Sequence, residues 1–101
     1  MSDSSLPLSR PAVAPDHPAA VTMVAQPVLA EVVGANAAPV SLSIEFGVGI
    51  AAGESLEVEA RIVRGTRTLV FAQARVMNGS GQLAADISAV YRRELGNENG
   101  P

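Results

Sequence analysis

GESLEVEARIVRGTRTLVFAQARVMNGSGQLAADISAVYRR, residues 53–93, decides the fold. Leu56, Val58, Ala60 and Ile62 alternate with Glu57, Glu59 and Arg61, the period of two that marks a strand with one buried and one wet face. Arg64-Gly65-Thr66 interrupts the pattern, and Gly65 has the freedom to take the positive φ of a tight hairpin. Thr68 to Met77 reads as a second, more buried strand, rich in β-branched and apolar residues. Asn78-Gly79-Ser80-Gly81 is the strongest turn signal in the chain, because Asn and Gly tolerate left-handed backbone. Alternation then resumes, with Leu83, Ala85, Ile87, Ala89 and Tyr91 set against Gln82, Asp86, Ser88 and Arg92. Three antiparallel strands joined by two short turns form a meander, and its apolar face needs a cover.

Upstream of this stretch, Leu42, Ile44, Phe46 and Val48 alternate with Ser41, Ser43, Glu45 and Gly47, which predicts a strand over 40–48. Gly47, Gly49, Ala51, Ala52 and Gly53 make a small-residue connection from it into the meander. Further back, Asp16 suits an N-cap, Pro18 a first helical turn and Gly34 a C-terminal stop. Val21, Val24, Val28 and Val32, with Met23 and Leu29, recur between them at three- and four-residue spacing, predicting a helix over 18–33. Pro27 lies in its interior, where it deletes a hydrogen bond and kinks the helix. Glu31 is its single charge, so the helix is expected to be wrapped by the sheet. Pro7, Pro11 and Pro15 mark residues 1–15 as a Pro-rich arm, at most a short edge strand around Leu6 to Val13. Residues 94–101 read as a disordered tail.

The reading is one α+β domain over 16–93, a long Pro-kinked helix packed on a curved antiparallel sheet of about four strands. Phe46, Leu56, Val58, Ile62, Leu83 and Ile87 are its expected core, with Val24 and Val28 of the helix. The strand over 40–48 is expected at a sheet edge, a template for pairing with a second copy, so the domain is expected to be dimeric.

Composition narrows the function. A chain of 101 residues holds one modest core. With no cysteine there is no disulfide framework, thiol nucleophile or thiolate metal site, and no metal ligand set is expected. A net charge of −3, all seven basic residues arginine and three aromatics in total argue against a nucleic-acid partner. Apolar runs break well before the roughly 18 residues of a membrane span. Asp3, Arg10 and the prolines leave no continuous apolar leader core, so a soluble cytoplasmic protein is expected.

Gly53-Glu54-Ser55-Leu56-Glu57-Val58-Glu59-Ala60, Val63-Arg64-Gly65-Thr66-Arg67-Thr68-Leu69, Gly81-Gln82-Leu83-Ala84-Ala85 and Ala89-Val90-Tyr91 together resemble the second half of a hotdog-fold acyl-CoA thioesterase, of the small phenylacetate-pathway-like type. The resemblance runs from about Asp16 to Arg92 and is a pattern across strands, not one motif. It implies a hotdog fold, with the helix in the concave face of the sheet. It also implies a side-by-side homodimer that can double to a tetramer, with sites at the interface. The ligand would be an acyl-CoA, with no cofactor beyond the coenzyme A that the substrate carries. Relatives start the helix with His-Gly-Gly and place a catalytic Asp or Glu nine residues past the His. Here His17 matches, Pro18 and Ala19 replace the glycines, and Gln26 stands at the carboxylate position.

The resemblance therefore assigns His17 and Gln26 as catalytic, with Glu31 as a back-up carboxylate. Ala19 and Gly53 fall to the substrate's thioester end, and Arg64 and Arg67 to the coenzyme A phosphates, which suit guanidinium groups. Each also has a plainer reading. His17 can be a helix-start surface residue, Gln26 can solvate the kink, and Glu31 can be an ordinary helix-end charge. Arg64 and Arg67 can be solvated hairpin residues. Glu57, Glu59, Arg61 and Arg75 read as cross-strand pairs. Two functions follow: thioester hydrolysis by attack of water, or a non-catalytic hotdog that binds acyl-CoA or is purely structural. Gln26 separates them, since an amide orients water but takes no proton.

Overall fold

The computed structural model describes residues 7–94; the expected tail, beyond Glu94, lies outside the described residues. The order is β1 (Leu8–Val13), α1 (Ala20–Val33), β2 (Ala37–Phe46), β3 (Ser55–Gly65), β4 (Leu69–Asn78) and β5 (Leu83–Arg93). The sheet is antiparallel in the order β1-β3-β4-β5-β2, with α1 across one face. This is the hotdog arrangement, and it has five strands where alternation alone counted four. β1 carries Pro11 yet pairs with β3, because an edge strand needs only one of its two hydrogen-bonding sides. The expected arm thus contributes a strand to the same sheet.

The β3–β4–β5 meander forms as its alternation requires, with Val58 facing Val76 and Ala74 facing Ile87 across the strands. The first turn differs in detail. Gly65 is the last residue of β3 and has no positive φ; Thr66 makes the turn, its N–H donating to the Leu69 carbonyl at 2.7 Å. In the second turn the Asn78 Oδ1 accepts the N–H groups of Ser80 and Gln82, at 3.0 and 2.9 Å. The left-handed residue there is Gly81, with φ +82°.

The core between α1 and the sheet is built from small residues. Ala25, Val28 and Leu29 of the helix meet Val58, Ala60, Val70, Ala74, Val76, Ala85 and Ile87 of the strands. Ala at the sheet centre lets the helix backbone approach, so one Leu fills the remaining depth; Leu29 and Ile87 are fully buried. Such a residue contributes roughly 2 kcal/mol by burial alone. Several expected core members are elsewhere. Phe46 is 72% exposed and Leu83 40% exposed, while Ile62 and Val24 are half-buried. Phe46 ends the edge strand β2, past the cover of the helix. Leu83 is turned out by a register shift at Val76/Met77, which leaves Ala84 and Ala85 both buried.

The helix is two residues shorter than expected at its start. Asp16 is not its cap. A turn at 15–20, with the Ala20 N–H on the His17 carbonyl at 3.0 Å, places Ala19 at the N-cap position without a side-chain cap from that residue. Gly34 ends it as expected, at φ +93° with its N–H on the Ala30 carbonyl. The sheet does not wrap α1: Met23, Pro27, Ala30 and Glu31 are exposed, because one sheet covers one face only.

Candidate functional site

Two concavities flank the first half of α1. The first is a cleft of about 450 Å³ between the helix start and the β2–β3 loop. Asp16, His17 and Val21 form one wall, and Phe46, Val48 and Ile50 the other. The loop is held by its backbone: the Gly47 N–H donates to the Ala84 carbonyl and the Val48 N–H to the Leu83 carbonyl, at 2.8 and 3.0 Å. Gly47 has to be glycine, since a Cβ there would run into the carbonyl oxygen of Leu83. This close approach presents Phe46 and Val48 at the cleft mouth. The small-residue run 47–53 hinted at the loop, whereas Phe46 and Val48 read from the sequence as strand interior.

His17 is exposed at this cleft, and its Nδ1 accepts the Ala19 N–H at 2.9 Å. The neutral ring therefore carries its proton on Nε2. The Ala19 N–H is occupied by this contact, while the amides of Val21 and Thr22 in the first turn have no backbone acceptor among the described residues. That helix end carries partial positive charge, suited to a polarised carbonyl oxygen.

The second concavity is a shallow groove of about 410 Å³ on the outer face of α1, lined by Ala19, Thr22, Met23, Gln26, Pro27 and Ala30. Ala19, Met23, Gln26 and Ala30 lie at i, i+4, i+7 and i+11, one stripe of the helix. Gln26 is half-buried in this apolar strip, on the side away from its own sheet. The Ala51–Gly53 loop is not part of its groove.

The other expected site residues are spread out. Glu31 is bound side-on by Arg10 of β1, with Nη2 2.6 Å from Oε2 and Nε 3.2 Å from Oε1. Hydrogen bonding and charge from Glu31 raise the Arg10 pKa above its ordinary value. Gly53 is a turn residue with φ +84° whose N–H donates to the Ala14 carbonyl at 2.8 Å, joining the loop to the end of β1. Arg64 lies over the Phe71 ring, 4.9 Å from its centroid, and Arg67 is exposed in the β3–β4 turn. That turn is ten residues along β3 from the cleft, roughly 33 Å at strand rise. Within one protomer Ala19 and Gln26 line one groove, His17 lines the other concavity, and Gly53, Arg64, Arg67 and Glu31 line neither. The outer-face pairs take an unexpected form: Glu59 and Arg75 face each other in register without an ion pair among the described residues, while Gln73 bridges Arg61 and Asp86 at 3.1 and 2.9 Å.

No helix among the described residues is long and apolar enough to cross a membrane. Among those residues, no group of three or more His, Cys, Asp or Glu is gathered for a metal.

Comparison with curated proteins finds no match. Solved structures do match. A phenylacetic acid degradation-related protein from Ralstonia eutropha is 23% identical with a TM-score of 0.75, covering 85% of this chain and 75% of its own. A Streptococcus mutans protein bound to acetyl-CoA is 16% identical with a TM-score of 0.76, covering 90% and 86%. The Escherichia coli PaaI protein, from the phenylacetic acid degradation operon, is 13% identical with a TM-score of 0.74, covering 86% and 72%. At such identities the likeness establishes the fold. The family follows from the sequence: the model of the thioesterase superfamily matches residues 19–85, from the helix start into β5, and the chain belongs to that superfamily.

Proposed function

We propose that the protein is an acyl-CoA thioester hydrolase, working as a homodimer inside the cell. The observation that carries this reading is the groove on α1, an apolar strip beside a helix N-terminus with one amide side chain, Gln26, half-buried in it. A thioester carbonyl at the helix start would be polarised by first-turn amides, and Gln26 would orient the attacking water. The acetyl-CoA bound to the S. mutans neighbour supports the ligand class.

The groove is open on its outer side, and β2 is a sheet edge with Val40 half-exposed and Phe46 largely exposed. Antiparallel pairing of β2 with a second β2 would continue the sheet and bring a partner toward both concavities. Charge supports this pairing. Arg64, Arg67, Arg92 and Arg93 gather at one end of the sheet, with Glu94 beside them, and Asp16, Glu45 and Glu54 at the other. A two-fold axis across β2 sets opposite ends together. The partner's Arg92 and Arg93 would then lie two strand spacings, roughly 10 Å, from the Phe46 end. In this reading the partner's Arg64 and Arg67, further along the same end, receive the coenzyme A phosphates. A dimer of such dimers would make the tetramer.

A panel of acyl-CoA esters tests the activity, run beside thermal-shift titration with free coenzyme A and light scattering. Hydrolysis of at least one ester by a particle of two or four chains is the expected result. A one-chain mass at micromolar concentration overturns the dimer, and no turnover overturns the hydrolase. The second reading is a non-catalytic acyl-CoA binder or structural dimer. It is favoured by the amide at position 26 and by the closure of the Ala19 N–H on His17. Stabilisation by coenzyme A without turnover selects the binder.

A further inference from the structure

Pro27 lies inside α1, eight positions into a fourteen-residue helix. Proline has no N–H, so the carbonyl of Met23, which in a regular helix receives the amide four residues on, has no such donor. A helix carbonyl points along the axis toward residue i+4. Met23 and Pro27 both line the Gln26 groove, so the oxygen without its donor belongs to the helix face that the groove covers. Proline is also the most costly residue in a helix interior, and this one is exposed and contributes nothing to the core.

We propose that Pro27 is a positioning residue, which makes the Met23 carbonyl a further polar group of the groove, beside Gln26 and Thr22. This rests on the hydrolase reading above. Gln26 Oε1 and the Met23 carbonyl oxygen accept the two hydrogens of one water, and its lone pair is aimed at the thioester carbon. The water oxygen bonds to that carbon, the C–S bond breaks with its electron pair on sulfur, and the proton lost by the water reaches the thiolate through solvent. Two acceptors hold the water without taking its proton, which gives slow hydrolysis without a carboxylate.

The test uses Pro27→Ala and Pro27→Val, which both restore an N–H at position 27; the second keeps apolar bulk in the groove. Both variants should melt higher than the wild type, with kcat about five- to tenfold lower and KM unchanged, the effect of one neutral hydrogen bond lost from the transition state. Activity is not the only readout. The chain has three methionines, so labelling with carbonyl-13C methionine gives few signals, and Met23→Leu assigns the one that matters. Saturation with a non-hydrolysable acyl-CoA thioether should move the Met23 carbonyl resonance in the wild type and not in Pro27→Ala. A wild-type chain without hydrolysis overturns the reading beneath the inference, and the inference with it. Wild-type hydrolysis with unchanged kcat in both variants, or a stationary Met23 signal on binding, overturns the inference alone.

Discussion

His17 Nδ1 accepts the backbone N–H of Ala19 at 2.9 Å. This contact ties the turn before α1 to the N-cap residue, and it closes an amide that an oxyanion would otherwise use. His17→Ala should cost about 0.5–1 kcal/mol, the lower range for one lost hydrogen bond. In a domain of this size that is a few degrees of Tm. His17→Asn keeps an acceptor two residues before Ala19 and should melt close to the wild type. Thermal unfolding of the three proteins checks the order; equal melting of His17→Ala and wild type shows that the contact adds no stability.

Gly47→Ala tests how the cleft wall is held. The added methyl group meets the Leu83 carbonyl oxygen, so β2 or the start of β5 has to move. Overpacking of this kind costs about 1–3 kcal/mol. Ile87→Ala, in the fully buried centre, should cost about 2–5 kcal/mol. Urea denaturation should rank the two variants in that order.

Tyr91 is the single tyrosine of the chain and is buried, which raises its pKa above the ordinary 10.0. The folded state thus holds the phenolic proton more tightly than the unfolded state does. Stability from this group is complete below pH 10 and declines as pH climbs through 10 toward the raised folded value. Phenolate absorbance in alkaline titration should show a midpoint above 10. Tyr91→Phe should remove both the signal and that part of the alkaline loss.

Much of the fold was legible because alternation is local. Residues 53–93 carry their pairing in their own pattern, and the helix carries its period and Gly34 stop. What sequence missed depends on the far end of a contact. Pro11 argues against a strand until its partner is known, and only then is β1 seen to be an edge. Leu83 keeps the right alternation, yet a register shift against β4, with Ala84 as the extra residue on β5, turns it outward. Arg10 and Glu31 stand 21 residues apart, with no period to link them. Of the site, Gln26 was found by resemblance; its groove depends on which helix face the sheet leaves bare.

Gln26→Asp is the most direct test of the chemistry. The side chain lies half-buried in an apolar strip, one helical stripe from Ala19 at the N-terminus. A carboxylate there, one methylene shorter than the amide, takes the proton that an amide refuses. If water attack limits the wild-type rate, the variant should hydrolyse acyl-CoA about 10²–10⁴-fold faster, the usual effect of a positioned general base. KM should change little, because the amide and the carboxylate both accept a hydrogen bond. The rate should fall as pH drops through the new carboxyl group's pKa, a limb absent from the wild-type profile. Light scattering and a melt establish that the variant keeps its fold and assembly. A folded variant of unchanged mass that hydrolyses no acyl-CoA faster than wild type places the reacting carbonyl away from position 26, and the binding reading then replaces the hydrolase.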